Sequence, residues 1–363
     1  MRSKRSVKGN FGIRSCLILA SAIALQLSGL PGLSILKEVN AATLGTPPEQ
    51  PNPRPNLQLN PQPNQKFTNP QLVYTLIGHS GTIKSLVFSP DSKTLVSGGA
   101  ENDGLILLWD TIKGKKKGVI NKAHKTAVQS LIISPDGQTL VSCSSDYSIN
   151  LWNLRDNNFL RSFVAHTSNV MSLAVTPDSK ILVSGAIDGI RVWDLLQRRP
   201  LATIAKYDNS IFSLTISPDG QTLASGDSKG VVKLWDLATG KIIRAFVAHN
   251  NTVSSMTFSL NGRTLITASR DRTIKLWNLE NARLQQTLTG HNDWVNAIAL
   301  NPDGETLASG GRDGIKIWNL NKGELVTSLY AHSDWVSALA FSPDGQTLAS
   351  GGFDKRVYIW RNL

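Results

Sequence analysis

The residues best suited to chemistry in this 363-residue chain are its six histidines, and their placement is regular. They are His79, His124, His166, His249, His291 and His332, each preceded by Gly or Ala. Imidazole is the common general base and a common metal ligand, so hydrolysis with a hydroxyl nucleophile, or metal binding, are the chemistries to weigh. A seventh comparable stretch, AKYDNS at 205–210, carries Tyr207 where the others have His. Each histidine belongs to one copy of a repeat. None is left over for a separate site.

The repeat is set out by tryptophans. Trp109, Trp152, Trp193, Trp235, Trp277, Trp318 and Trp360 recur at spacings of 41 to 43 residues. Each copy holds an alternating apolar run, a turn such as SPDG at 134 or 217, a run such as TLASG, an Asp, and a run ending in Trp, followed by Asp/Asn in all but the last copy. Pro, Asp/Asn and Gly supply the backbone angles of a tight hairpin. The flanking runs, VSSMTFS and TIKLWNL among them, are short, β-branched and of period two, which predicts strands.

Four short strands per copy and a period near 42 resemble the WD40 family. The resemblance covers residues 72–363 in seven copies. It implies an all-β, seven-bladed propeller of four-stranded antiparallel blades around a channel. LVYTLIGH at 72–79 aligns with LVTSLYAH at 325–332, while the last copy stops just after the strand of Trp360. The strand at about 72–77 is therefore expected to complete the last blade and close the ring.

The resemblance also gives the histidines a role. In the family, His hydrogen-bonds an Asp between the second and third strands, and Ser/Thr and Trp complete the network. The matching pairs are His124 with Asp146, His166 with Asp188, His249 with Asp271, His291 with Asp313 and His332 with Asp354. His79 has a two-residue insertion before Asp103, so its geometry is open. Taken alone, a His-Asp-Ser set would indicate a hydrolase. Six copies, each beside a Trp, favour a structural network and no catalytic residue. Blade 4 departs twice, with Tyr207 for His and Lys229 at the Asp position six before Trp235. The paired loss predicts no stranded carboxylate there, and a looser upper loop.

With the histidines accounted for, function must be sought on the upper face, which the family builds from the third and fifth residues after His and the residue before Asp. Blades 5 to 7 place Arg270, Trp294, Arg312, Trp335 and Phe353 there, with Phe212 and Lys84 in the adjoining blades. Trp and Arg dominate interface energetics, so these are the candidate contacts for a protein or peptide. Each Trp merely covering its neighbouring blade is the alternative. A second candidate, Lys113, Lys115, Lys116, Lys117 and Lys122, is expected as a solvated lower-face hairpin, contact with an acidic lipid or polymer being the alternative. Basic residues are not interleaved with aromatics as on a nucleic-acid platform. No cofactor, metal or nucleic-acid partner is expected, and the ring is expected to be monomeric. Carboxylates in the channel would make an enzyme, but no acidic set stands out.

The start of the chain reads as an export signal. Arg2, Lys4, Arg5, Lys8 and Arg14 precede an apolar run from Cys16 to Leu36, and Val39-Asn40-Ala41 fits a cleavage site. Cleavage after Ala41 would put the protein in the periplasm or outside the cell. The alternatives are an uncleaved membrane anchor, which Gln26, Gly29, Pro31 and Gly32 disfavour, and a cytoplasmic scaffold held by that anchor. Residues 42–71 hold eight of the sixteen prolines and predict a disordered spacer. Formal charge is +12; beyond residue 41 there remain 32 Lys/Arg against 25 Asp/Glu, or +7, a weak argument for an anionic partner. Cys143, where other copies carry Gly or Ala, predicts a buried small residue.

Overall fold

The computed structural model describes residues 67–100, 103–164, 166–206 and 209–362. The leader, most of the proline-rich spacer, and Tyr207 lie outside the described residues. The described chain forms seven four-stranded antiparallel sheets, one per copy of the repeat. Blade 5 is typical: Val253–Phe258 innermost, then Thr264–Ser269, Ile274–Asn278 and outermost Arg283–Leu288.

The hairpin turns explain why the strands are short. In SPDG of blade 2, Asp136 Oδ1 accepts hydrogen bonds from Ser134 Oγ and from the Gln138 N–H at 3.0 Å. Gly137 then takes a φ of 73°, which glycine adopts without cost. Ser92 and Ser179 hold the same place at 62° and 63°.

Blades pack on one another through one repeated contact. The first residue of the inner strand in six blades, Ile83, Val128, Val170, Ile211, Val253 or Val336, and Val295 just before that strand in blade 6, is at most 2% exposed. It fits against a small residue on the second strand of the preceding blade: a Cβ added at Gly98 would lie 2.7 Å from Val128 Cγ1, and at Gly351 2.5 Å from Ile83 Cγ2. Cys143 occupies this place in blade 2, fully buried, its thiol donating to the Val170 carbonyl at 3.3 Å. Burial pushes the thiol far above its ordinary pKa, so no thiolate is available for attack.

Closure is antiparallel. Strand Pro70–Ile77 pairs with Arg356–Asn362, with Leu72 opposite Trp360, and becomes the outer strand of blade 7. It starts two residues before the expected Leu72. Phe67 is buried as well, edge-on to Phe341 with ring centroids 5.2 Å apart. Blade 7 meets blade 1 through Ser337 Oγ, which donates to the Ile83 carbonyl, so the sheet edges at the junction are covered.

Candidate interaction face

The upper side of six of the seven blades rests on the histidine network. In blade 5, His249 Nδ1 lies 2.8 Å from Asp271, its Nε2 lies 2.7 Å from Thr267 Oγ1, and Trp277 Nε1 donates to the same hydroxyl at 3.0 Å. Blades 2, 3, 6 and 7 repeat it with His124–Asp146, His166–Asp188, His291–Asp313 and His332–Asp354, nitrogen to oxygen 2.6 to 3.2 Å. In blade 1 the insertion is absorbed: Asp103 Oδ2 still meets His79 Nδ1 at 2.8 Å. One hydrogen assignment serves every copy. Trp N–H donates to the hydroxyl, the hydroxyl to Nε2, and Nδ1–H to the carboxylate, leaving the ring neutral.

This arrangement leaves no hydroxyl free as a nucleophile. The Ser and Thr hydroxyls of these six sets are fully buried and already bonded on both sides. Burial lowers the pKa of His79 and His166 despite their carboxylate partners. Burial works against the charged carboxylates too, but bonds from histidine, hydroxyl and backbone N–H outweigh it. Asp146 and Asp271 are held well below the usual range, and Asp313 at about 2.

A bulge aims side chains onto the face. In six of the seven inner strands the register shifts at the second residue, which is Lys84 in blade 1 and Phe212 in blade 4. Such a shift re-aims the extra residue out of the ladder. In blades 5 and 7 the residue before the Asp is fixed by its backbone N–H: Arg270 donates to the Thr252 carbonyl at 3.1 Å, and Phe353 to the Trp335 carbonyl at 2.9 Å. In the shared Asp-Trp-Val of blades 6 and 7, Asp293 and Asp334 each accept the N–H of the following Trp at 2.8 Å.

Five of the seven sequence-derived candidates come together in one row. The Arg270 guanidinium lies 5.4 Å from the Phe212 ring centroid and 4.9 Å from that of Trp294. The Trp294 and Trp335 rings are 5.3 Å apart at 47°, and Arg312 lies 5.9 Å from Trp335. Lys84 and Phe353 form a separate pair, Nζ 4.2 Å from the ring centroid. Trp294 is 42% exposed. Beside it runs an open groove of about 540 Å³, lined by Asn250, Asn251, Arg270, Arg272, Asn292 and Trp294, with Asp271 and Asp293 in its walls.

Comparison with known proteins agrees with this geometry. The family model described as IFT122 first beta-propeller matches residues 82–285, and that described as WD domain, G-beta repeat matches 282–319 and 323–361. This chain belongs to the WD-repeat β-propellers. A relative named small ribosomal subunit protein RACK1 from Medicago sativa is 48% identical over 50 residues, 14% of this chain and 15% of that protein. The Glycine max protein of the same name is 46% identical over the same shares. Nuclear distribution protein nudF 1 from Talaromyces marneffei is 27% identical over 124 residues, 32% of this chain and 25% of that one. The chain thus spans about a quarter or less of the length of the curated relatives it matches.

Within the WD-repeat frame, blade 4 strands no carboxylate, as expected, but it holds one that the sequence reading did not use. A carboxylate is present after all: Asp227, two residues before Lys229, is 3% exposed. Its Oδ1 accepts the N–H groups of Lys229 and Val231 at 2.8 and 2.9 Å, and its Oδ2 accepts from Asn209 Nδ2 at 2.9 Å. Lys229 is exposed and takes no carboxylate's place in the network. Trp235 keeps its bond to Ser225 at 2.9 Å. A search for Asp six before Trp misses Asp227; an Asp directly after Ser-Gly at the turn was the available signal.

The lysine run also divides. Lys113, Lys115, Lys116 and Lys117 are exposed at the turn into the outer strand Lys115–Ile120, on the side of the SPDG-type turns. Lys122 lies past that strand, in the loop leading to His124, on the opposite side.

Proposed function

We propose that this WD-repeat protein is a non-enzymatic scaffold that docks protein or peptide partners on the upper face of its propeller. The observation that carries it is the Trp294–Trp335 pair, partly exposed and flanked by Arg270 and Arg312 across three blades. Exposed aromatic and arginine anchors clustered beside a groove are what an interface hot spot requires. Against an enzyme stand the buried, mutually satisfied histidine sets; among the described residues no group of His, Cys, Asp and Glu is placed to hold a metal. Crosslinked capture of partners by wild type and by Trp294→Ala/Trp335→Ala tests the reading. Capture is expected to fall with both indoles gone, and unchanged capture would refute the site.

The basic residues before Cys16 and the apolar run to Leu36 support export, with the propeller held by a proline-rich arm. A cytoplasmic or membrane-anchored scaffold is the second reading, favoured by relatives named for the ribosomal subunit and for nuclear distribution. Sequencing the mature amino terminus separates them: a start after Ala41 supports export, and an intact Met1 or Arg2 supports the second.

A further inference from the structure

We propose that the ligand of the upper face is an acidic peptide segment whose carboxylates pair with the guanidiniums of Arg270 and Arg312, on either side of the Trp294–Trp335 pair. The inference rests on the docking face proposed above and names the chemistry it accepts.

Both arginines are held by rings and left without counter-charges. Arg270 sits against Phe212 and Trp294, and Arg312 against Trp335. Among the described residues neither guanidinium has a salt bridge or a side-chain hydrogen bond, and Arg270 Nε is buried with no acceptor. Arg270, partly drawn out of water without a partner, carries a cost that a bound anion relieves, while exposed Arg312 offers its charge freely. Burial alone already weakens the Arg270 cation. Stacking occupies the faces of a guanidinium and leaves its N–H edge available for bidentate pairing with a carboxylate.

The nearby acids do not fill this role. Asp271 is bonded to His249 and Thr273, and Asp313 to His291 and the Asn292 N–H with Lys316 Nζ at 3.5 Å. Asp293 and Asp334 hold the N–H groups of the two tryptophans. The same acids discriminate among anions. With Asp271 and Asp293 in the groove beside Arg270, a polymer charged at every unit, such as a nucleic acid, is repelled. Carboxylates spaced by neutral residues are not. Asn250, Asn251 and Asn292 in that groove offer both donors and acceptors, as a peptide backbone requires.

The test uses the immobilised full chain and two pools of fluorophore-labelled nonapeptides with blocked ends, neutral throughout except that one pool carries Glu where the other carries Gln. At low ionic strength the Glu pool is expected to be retained about tenfold more strongly. Arg270→Gln and Arg312→Gln each reduce it toward the Gln pool, and Arg270→Lys does not restore it, because lysine lacks the planar fork. Lys125→Gln, exposed on blade 2 of the same side, leaves it unchanged. Thermal unfolding checks each variant, and Arg312, being exposed, carries the test if the Arg270 variant does not fold. Equal retention of both pools, lost together in Trp294→Ala/Trp335→Ala, overturns the acidic ligand and leaves the docking face standing. Retention of neither pool overturns the acidic ligand; if partner capture also ignores the two tryptophans, the docking face falls with it.

Discussion

Blades 2 and 3 stand on the same histidine frame as blades 5 to 7 and present a different surface above it. Over blade 2, the equivalent positions are Ala127, Gln129 and Ser145, with Gln129 Nε2 donating to Ser145 Oγ at 2.8 Å. Over blade 3 they are Asn169, Met171 and Ile187. Blades 5 to 7 carry the row of Arg270, Trp294, Trp335 and Arg312. Since the buried sets are alike in both sectors and the exposed residues are not, the frame maintains the blades, and the difference above it is where we propose that partner choice resides.

The largest expected effect follows from the shared frame. His124→Ala in blade 2 and His249→Ala in blade 5 should each lower unfolding free energy by about 2–4 kcal/mol, since each strands a part-buried carboxylate and a hydroxyl. Urea titration checks it; a large loss in one sector and none in the other would break the equivalence. Next comes blade 4, where Asp227→Ala should cost about 2 kcal/mol and Lys229→Ala about zero, in the same assay. The reverse order would restore Lys229 as the residue that matters.

Acid should act on both sectors together. The carboxyls of Asp146, Asp271 and Asp313 lie lower in the folded chain than in the unfolded one. Their stabilisation is therefore complete above about pH 4 and lost as pH falls through their depressed folded values, that of Asp313 at about 2. His79 and His166, also lowered by burial, add a loss that begins as pH falls below about 6.5, where the unfolded chain takes up the proton first. Urea midpoints at about pH 7, 5 and 3 should decline in that order, and by the same amount in Trp294→Ala/Trp335→Ala. The smallest effect concerns the plain sector: Gln129→Ala should change stability by less than about 0.5 kcal/mol and leave partner capture intact.

Much of this was legible because the repeat prints each blade seven times. Tryptophan spacing and SPDG turns foretold the sheets, and alignment of LVYTLIGH with LVTSLYAH foretold the closing strand. Trp294 and Trp335 occupy the same position in consecutive copies, so their neighbourhood could be read, though not their ring contact. What escaped reading breaks the pattern. Asp227 serves the turn from two positions earlier, because a carboxylate there reaches the N–H groups of Lys229 and Val231 as well as Asn209. Phe67 precedes the aligned copies and is drawn in by the ring of Phe341. The expected loosening of the blade 4 loop falls at Tyr207, outside the described residues.

The docking site proposed here lies on blades 5 to 7 and not on the frame. Quantitative crosslinked capture by Trp294→Ala/Trp335→Ala, alongside its urea midpoint, tests it most directly. The account predicts capture reduced about tenfold or more with the midpoint nearly unchanged. Full capture by a folded double variant would contradict it.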